Sequence, residues 1–247
     1  MKGVWKFFPK LYNSRHVFNI LKMREKISGD YLKKIFGTYK GVLKDFLNEE
    51  GPFYIGIMEE DSILIQTYEI EKNSFRFARN LIFQSYKNRL LYTSVGIALI
   101  RQSDKEVMGY FIIDEIVENI YFISVIVVRK QYRNRKIGTF LMNVLLKIFH
   151  DVGGRILYLT IPKNSSTIKN FYKSFGFFEF NKLKVNEFYD DIKKLQDILS
   201  RQIKNENVSI SVEDIDVKKG IIKSMYGGVD GIILVRIGVE NSGFSQR

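Results

Sequence analysis

The sequence predicts a mixed α/β fold of the α+β type, in which a mostly antiparallel sheet is flanked by helices. Three strand-like runs follow one another at 91–101, 107–116 and 120–128, and their short connections are typical of an antiparallel meander. The third run is apolar on both faces, which is expected of a central, buried strand. Helix-like and strand-like segments then alternate along the chain, as in a sheet that is covered by helices.

A basic helical extension is predicted to precede the meander, at residues 1–60. Two amphipathic stretches, about 12–27 and 30–48, carry apolar residues at helical spacing, and Asp30 is placed to cap the second. Residues 1–50 contain 11 Lys and Arg against 5 Asp and Glu, a difference of +6, which is half of the chain's net charge of +12. Either these helices pack on the sheet with their lysines in solvent, which we favour, or they bind nucleic acid or the ribosome.

Two further strands are predicted between the helical stretches and the meander. Residues 53–58 and 62–69 are apolar runs on either side of the acidic turn 59–61, and residues 71–89 carry an apolar helical face. The first strand of the main domain is then either 62–69 or a segment of the extension.

The chain beyond the meander is predicted to alternate between helices and strands. The predicted helices are 137–151, 166–175 and 188–204, and the predicted strands are 155–161, 177–183 and 231–238. The main domain therefore spans 61–247, with its core at about 90–182 plus a late strand at 229–238. A helical insertion at about 185–228 is predicted to separate this core from the late strand.

Composition excludes several kinds of site. The chain has no cysteine and only two histidines, His16 and His150, so no disulfide or thiolate nucleophile can form and no metal site is expected. The longest apolar run, 120–128, is too short to cross a bilayer, and the lysine-containing start does not resemble a signal peptide. These features predict a cytoplasmic protein that has no metal and no membrane contact.

The junction after the third meander strand carries the strongest chemical signal. A basic loop, 129–136, joins this strand to the helix that starts near Ile137. Backbone N–H groups at a helix start lack partners within the helix and suit an anion such as a pyrophosphate. Arg133, Arg135 and Lys136 add positive charge there, and Gly138 permits close approach of a ligand.

This junction resembles the acetyl-CoA signature of the GNAT superfamily, Arg/Gln-x-x-Gly-x-Gly/Ala between the fourth strand and third helix. Arg133 fits its first position and Gly138 its last, whereas Lys136 stands where the family has its middle glycine. A side chain there either crowds the pyrophosphate or turns outward and binds a phosphate through its ammonium group.

A second block is similar to a later motif of the same family. In that motif, an Asn at the end of the fifth strand precedes a helix that carries an aromatic-Tyr pair and then Gly-Phe. Here the chain has Asn164, the pair Phe171-Tyr172 and the pair Gly176-Phe177, although Asn164 lies one residue farther from the tyrosine than is usual. The two blocks cover about 90 contiguous residues.

The resemblance implies a sheet that splays at its centre and holds acetyl-CoA, with no metal. The backbone at 126–128 would pair with the pantetheine arm, the amides of 133–139 would hold the pyrophosphate, and Tyr172 would act as general acid. The residues that would bind the coenzyme are Ile126, Val127, Val128, Arg133, Asn134, Arg135, Lys136, Ile137, Gly138, Thr139, Asn164 and Phe171.

The resemblance leaves the general base open. The family often has a glutamate on the fourth strand at the position of Phe122, which cannot accept a proton. Asp114, Glu115 and Glu118 precede that strand and are interpreted as surface carboxylates. A water chain, or an amine that arrives neutral, would also serve.

Two functions are carried forward. The first is transfer of an acetyl group from acetyl-CoA to a primary amine by direct attack in a ternary complex, the amine being a protein N-terminus, a lysine or a small amine. The positive net charge makes a polyamine less expected. The second is a non-catalytic GNAT-like module that binds CoA, or binds nucleic acid or a protein partner through its extension; Lys136 and Phe122 motivate this alternative.

Overall fold

The structure is a computed structural model that describes residues 23–75, 81–92, 94–180, 193–195, 197, 215–216, 221–226 and 229–238. These residues fall into two compact units. The first contains the described residues of 10–118 and 122–152, and the second contains those of 119–121 and 153–247.

The described residues of the first unit form five α-helices, a further helical segment at 23–26 and a four-stranded antiparallel meander. The helices are α1 (Gly29–Tyr39), α2 (Lys44–Glu50), α3 (Asp61–Ser74), α4 (Phe83–Tyr92) and α5 (Ile137–Asp151). The strands are β1 (Phe53–Ile57), β2 (Val95–Arg101), β3 (Val107–Val117) and β4 (Ile120–Val128), of which residues 122–128 belong to this unit. Short 3₁₀ turns at Lys40–Leu43 and Lys130–Tyr132 join α1 to α2 and β4 to the loop before α5.

The predicted meander is confirmed. β1 pairs with β2, and β2 pairs with β3, both antiparallel, and the sheet order continues to β4. Helices α3 and α5 pack on β3, and α4 packs on β2. The predicted mixed α/β class, with a mostly antiparallel sheet and flanking helices, is therefore confirmed.

The prediction of a strand at 62–69 was wrong, because these residues lie in α3. The buried side chains of this helix recur at intervals of three and four residues, whereas Ile65 is exposed. A short apolar run does not by itself distinguish a strand from a helix. The helical spacing of the buried residues becomes clear only when the pattern is followed to Ile70 and Glu71. The first strand of the sheet is instead Phe53–Ile57, within the predicted extension. The predicted start of β2, at residue 91, was also too early, because α4 extends to Tyr92 and the strand begins at Val95.

The second unit contains strand β5 (Ile156–Pro162), helix α6 (Ser166–Ser174) and four further strands. These are β6 (Phe178–Glu179), β7 (Ile215–Asp216), β8 (Ile221–Tyr226) and β9 (Val229–Ile237). β9 pairs antiparallel with β5, β6 and β8, and β7 pairs with β8. The insertion predicted as helical thus contains two strands, which the weak apolar alternation of 215–226 did not reveal.

Parts of two predicted helices lie outside the described residues. Of the helix predicted at 188–204, residues 193–195 and 197 are described as helical, and Leu195 is fully buried. Of the helix predicted at 12–27, the described residues 23–26 are helical.

Within the first unit, the described part of the extension packs on α5 through α1. Ser28, rather than Asp30, caps this helix: its Oγ accepts a hydrogen bond from the Tyr31 N–H at 3.2 Å. The Phe36 ring makes an edge contact with Phe140 of α5, with centroids 5.7 Å apart. Within the described part of the chain, no helix is long and apolar enough to cross a membrane, and no cluster of His, Asp or Glu suits a metal ion.

Candidate active site

The loop between β4 and α5 has the backbone shape of an anion site. After the 3₁₀ turn, Arg133 is extended, and both Asn134 and Lys136 are left-handed, with φ of 63° and 62°. The first helical hydrogen bond runs from the Phe140 N–H to the Lys136 carbonyl at 2.9 Å. The three amide groups of 137–139 therefore precede the first bond of the helix and have no partner within it.

Lys136 adopts a backbone conformation that favours glycine. Its φ of 62° and ψ of 4° are left-handed, which a glycine adopts freely and an L-residue adopts at a cost of roughly 1–2 kcal/mol. The Lys136 side chain is exposed. The departure from the family signature thus changes the side chain at this position and leaves the turn into α5 intact.

Arg133 and Asn134 are exposed at the outer side of this loop. The Nε of Arg133 donates a hydrogen bond to the Val128 carbonyl at 3.1 Å, which holds its side chain against the end of β4. Gly138 and Thr139, in the first turn of α5, are half-buried, and Ile137 is buried beneath them.

Arg135 is engaged with the N-terminal helices. Its guanidinium pairs with Glu49 and with Glu50, the latter at 2.9 Å, and lies over the Phe46 ring. Two carboxylates of α2 therefore balance the positive charge of Arg135, which was predicted from the sequence to contact a phosphate. This partnership could not be read from the sequence, because 85 positions separate Arg135 from Glu50.

A charge network centred on Glu106 supports the same loop. The carboxylate of Glu106 accepts hydrogen bonds from Arg101 at 2.6 Å and from the Tyr132 hydroxyl at 2.8 Å, and pairs with Arg129 at 3.1 Å. Arg101 also pairs with Glu50 at 2.7 Å. Partial burial, together with the Glu106 carboxylate, raises the pKa of Tyr132 above its usual value. The turn after β4 is thereby tied to α2 and to the start of β3.

Strand β4 presents two different faces. Phe122, Ser124, Ile126 and Val128 are half-buried on one face, and the alternate residues, which include Val127, are buried on the other. Of the predicted pantetheine-binding residues, Ile126 and Val128 therefore follow Phe122 and Ser124 along a partly open face that ends at the basic loop, whereas Val127 lies on the buried face.

Asp114 is fully buried, so its interpretation as a surface carboxylate was wrong. It accepts hydrogen bonds from Ser94 and Ser124 and pairs with Arg89 at 3.1 Å. Glu115 is also buried, with 6% of its surface exposed. The prediction failed because β3 is covered on both faces, and the partners of Asp114 come from helix α4, from the residue before β2 and from strand β4.

A second buried carboxylate, Glu71 of α3, was not singled out from the sequence. Its Oε2 accepts a hydrogen bond from the Tyr110 hydroxyl at 3.0 Å, and its Oε1 has no hydrogen-bond partner among the described residues. Burial raises the pKa of Glu71 to about 7, with Arg89 opposing the rise and Asp114 adding to it. The sequence feature that could have identified Glu71 is its position, as a charged residue, on the mostly apolar face of a helix.

The second motif block forms the C-terminal cap of α6. Gly176 is left-handed with φ of 78°, its N–H bonds the Lys173 carbonyl at 3.0 Å, and the Phe177 N–H bonds the Tyr172 carbonyl at 3.2 Å. These bonds define a Schellman motif, in which the residue after the glycine packs on the helix. Phe177 does so against the Tyr172 ring, with centroids 5.6 Å apart. The spacing of the motif thus fixes the position of Tyr172.

The remaining predicted residues of the second unit surround this cap. Tyr172 is buried, and half-buried Phe171 contacts its ring edge at 5.3 Å between centroids. Asn164 lies exposed in the turn between β5 and α6. Arg236 of β9 donates a hydrogen bond to the Phe175 carbonyl, and a Cβ at Gly176 would collide with its guanidinium.

Comparison with known proteins agrees with these features. Residues 64–177 match the acetyltransferase (GNAT) family. The fold is similar to that of the ribosomal-protein-S18-alanine N-acetyltransferase of Escherichia coli, with a TM-score of 0.52 and 16% identity over 79% of this chain and 100% of that chain. A putative GNAT-family acetyltransferase of Desulfovibrio desulfuricans has a TM-score of 0.51 and 14% identity, over 75% of this chain and 99% of that chain. No curated protein matches the chain.

The fold and the matched segment resemble those of GNAT acetyltransferases. Residues 64–177, which include both motif blocks, are a GNAT-superfamily segment of this chain. Acyl transfer is accordingly the class of reaction that the family supports for this site.

Proposed function

We propose that this protein transfers an acetyl group from acetyl-CoA to a primary amine by direct attack in a ternary complex. The observation that carries the proposal is the turn into α5, where Lys136 keeps a glycine-like conformation ahead of the three amides of 137–139. Partial positive charge at such a helix start favours a pyrophosphate. Arg133 and Lys136 are the basic side chains exposed beside it, since Arg135 is paired with α2.

Each remaining role follows from the chemistry of acyl transfer. The β4 backbone at 126–128 holds the pantetheine arm, and a strand N–H there polarises the thioester carbonyl. The Tyr172 phenol protonates the departing thiolate. In this mechanism the acetyl group is never covalently attached to a residue of the chain, which agrees with the absence of cysteine. Asn164 and Phe171 border the coenzyme in this proposal.

The acceptor in this proposal is a protein N-terminus, a lysine or a small amine. The E. coli neighbour is named for an alanine of a ribosomal protein. An alanine-initiated peptide is therefore the first acceptor to test, beside an N-terminally blocked lysine peptide and a polyamine. A cytoplasmic location stays a prediction, and contact of the extension with nucleic acid stays the less favoured alternative.

Titration calorimetry with acetyl-CoA tests the first half of the proposal. We expect binding by the wild-type protein, and its loss in Arg133→Glu and in Gly138→Trp, which reverse the charge and fill the approach to the amides. Lys33→Glu is the matched control, because Lys33 is exposed on α1 and carries the same charge reversal. No binding by the folded wild-type protein would reject the proposal in favour of a non-catalytic module.

Acetyl transfer to the amine panel tests the second half. Tyr172→Phe removes only the phenol oxygen, so we expect acetyl-CoA binding to persist and turnover to fall about 100-fold or more. Unchanged turnover in this variant would remove Tyr172 from the mechanism.

A further inference from the structure

The carboxylate of Asp114 is held by groups from three parts of the first unit. Ser94 donates a hydrogen bond to Oδ1, whereas Ser124 of β4 and Arg89 of α4 both donate to Oδ2. The Asp114 side chain is 1% exposed, and that of Arg89 is 10% exposed. Glu71 of α3 also interacts electrostatically with Asp114. Arg89 therefore pairs with a buried carboxylate of β3, the strand next to β4 in the sheet.

The two serines differ in what they can reach. Ser94 has no exposed surface, whereas Ser124 is half-buried on the partly open face of β4, between Phe122 and Ile126. A serine hydroxyl has one hydrogen to donate and two lone pairs that accept. Since Ser124 gives its hydrogen to Asp114, its lone pairs are left for a donor on the open side of the strand.

An acceptor amine is such a donor. Primary amines are mostly protonated at neutral pH, and an ammonium group can attack a carbonyl only after it loses a proton. Phe122 occupies the position where the family often supplies a glutamate for that step. Ser124 lies two residues farther along the same face and is hydrogen-bonded to the carboxylate of Asp114.

Building on the proposed function, we propose that Ser124 and Asp114 together remove the proton from the acceptor amine. The N–H bond of the ammonium breaks as its hydrogen bonds to Ser124 Oγ, and the hydrogen that Ser124 had donated forms an O–H bond with Asp114 Oδ2. The electron pair stays on the amine nitrogen, which attacks the thioester carbonyl. Asp114 becomes a neutral acid and returns the proton to solvent through Ser124 after the product leaves.

Ser124 is the catalytic residue in this relay because it touches the amine, and Asp114 acts through it. The relay needs no oxidant, metal or further reactant. The same contacts would exist if Asp114 only joined α4 to the sheet, so the experiment must separate a chemical role from a structural one.

Two serine-to-alanine variants make that separation. Ser124→Ala and Ser94→Ala each remove one hydrogen bond to the same carboxylate, and only Ser124 can reach an amine. For Ser124→Ala we expect kcat/KM to fall about 100-fold at neutral pH or below. The loss should shrink above pH about 8, where the α-amine of an alanine-initiated peptide is already neutral. Ser94→Ala should keep the wild-type pH profile.

Three further measurements complete the test. Ser124→Thr retains the hydroxyl and should restore most of the activity. Asp114→Asn, which keeps the side-chain shape but cannot take a proton, should reproduce the pH-dependent loss if it folds. Calorimetry should give the same acetyl-CoA affinity for Ser124→Ala as for the wild-type protein.

The relay is overturned if Ser94→Ala and Ser124→Ala share one loss and one pH profile, or if Ser124→Ala behaves as wild type. If Tyr172→Phe is impaired in that second case, the proposed function stands and only the relay fails. A wild-type protein that acetylates no amine of the panel overturns both.

Discussion

The guanidinium of Arg135 lies over the Phe46 ring, 4.6 Å from its centre, and pairs with Glu50 at 2.9 Å. Phe46 and Glu50 belong to α2, whereas Arg135 belongs to the loop that precedes α5. The N-terminal helices therefore support the proposed pyrophosphate loop directly. Tyr31 makes a second connection farther along α5, where its hydroxyl bonds Asp151 at 2.8 Å.

Loss of the Glu50 carboxylate should loosen this loop. Glu50 pairs with both Arg101 and Arg135, so Glu50→Gln leaves two partly buried guanidinium groups with one fewer anion. We expect a loss of about 1–2 kcal/mol in the free energy of unfolding and weaker acetyl-CoA binding. Denaturant unfolding and calorimetry would measure the two effects. Asp45→Asn, on the exposed side of the same helix, should change neither.

Position 136 should tolerate glycine and resist a β-branched residue. Lys136→Gly relieves the strain of a left-handed L-residue, so stability should hold or rise by about 1 kcal/mol. Lys136→Val should lose stability and acetyl-CoA affinity, because a β-branched side chain strongly disfavours this conformation. The control is Lys130→Val in the preceding turn, where φ is not positive. Equal losses at the two positions would contradict the conformational argument.

Gly176→Ala should disturb the cap that positions Tyr172. The left-handed φ of 78° and a collision with Arg236 both oppose a side chain there. Gly153→Ala is a close control, since its φ of 80° is similar but a Cβ would meet nothing within 4 Å. Thermal unfolding should show a larger loss for position 176, and only that variant should lose turnover. A loss of the same size at both glycines would mean that Arg236 simply moves away.

Stability should depend on pH through Glu71. Because burial raises the pKa of Glu71 to about 7 from 4.5 in an exposed chain, the folded state retains a proton that the unfolded state releases. The contribution of Glu71 to the free energy of unfolding is therefore fully present below pH about 4.5. It is lost as pH rises to about 7, which lowers the free energy of unfolding by up to about 3 kcal/mol. Arg89, Asp114 and Tyr110 are the groups that modulate this titration.

Glu71→Gln should remove that pH dependence, which unfolding measurements across the range would detect. Its control is Glu69→Gln, an exposed glutamate on the same helix. If the two variants have the same pH profile, Glu71 is already ionised in the folded protein.

Local pattern was enough to predict much of the fold. The bounds of β4 and α5 match their predictions, because each element carries a long, unambiguous apolar pattern. The segment at 62–69 failed for the opposite reason: its apolar run is short, and only packing against β3 shows which of its side chains are buried. Strands β7 and β8 have no strong pattern of their own and are defined by pairing that leads to β9.

The sequence by itself determined the superfamily, the order of the main elements and the positions of both motif blocks, since these depend on residues close together in the chain. Tertiary structure alone decided that Lys136 adopts a left-handed conformation that favours glycine and that Arg135 pairs with carboxylates of α2. It also decided that Asp114 is buried and hydrogen-bonded to Ser124. Each of these depends on partners or backbone geometry that distant segments impose. Burial and charge pairing arise between residues tens of positions apart, and no local pattern encodes them.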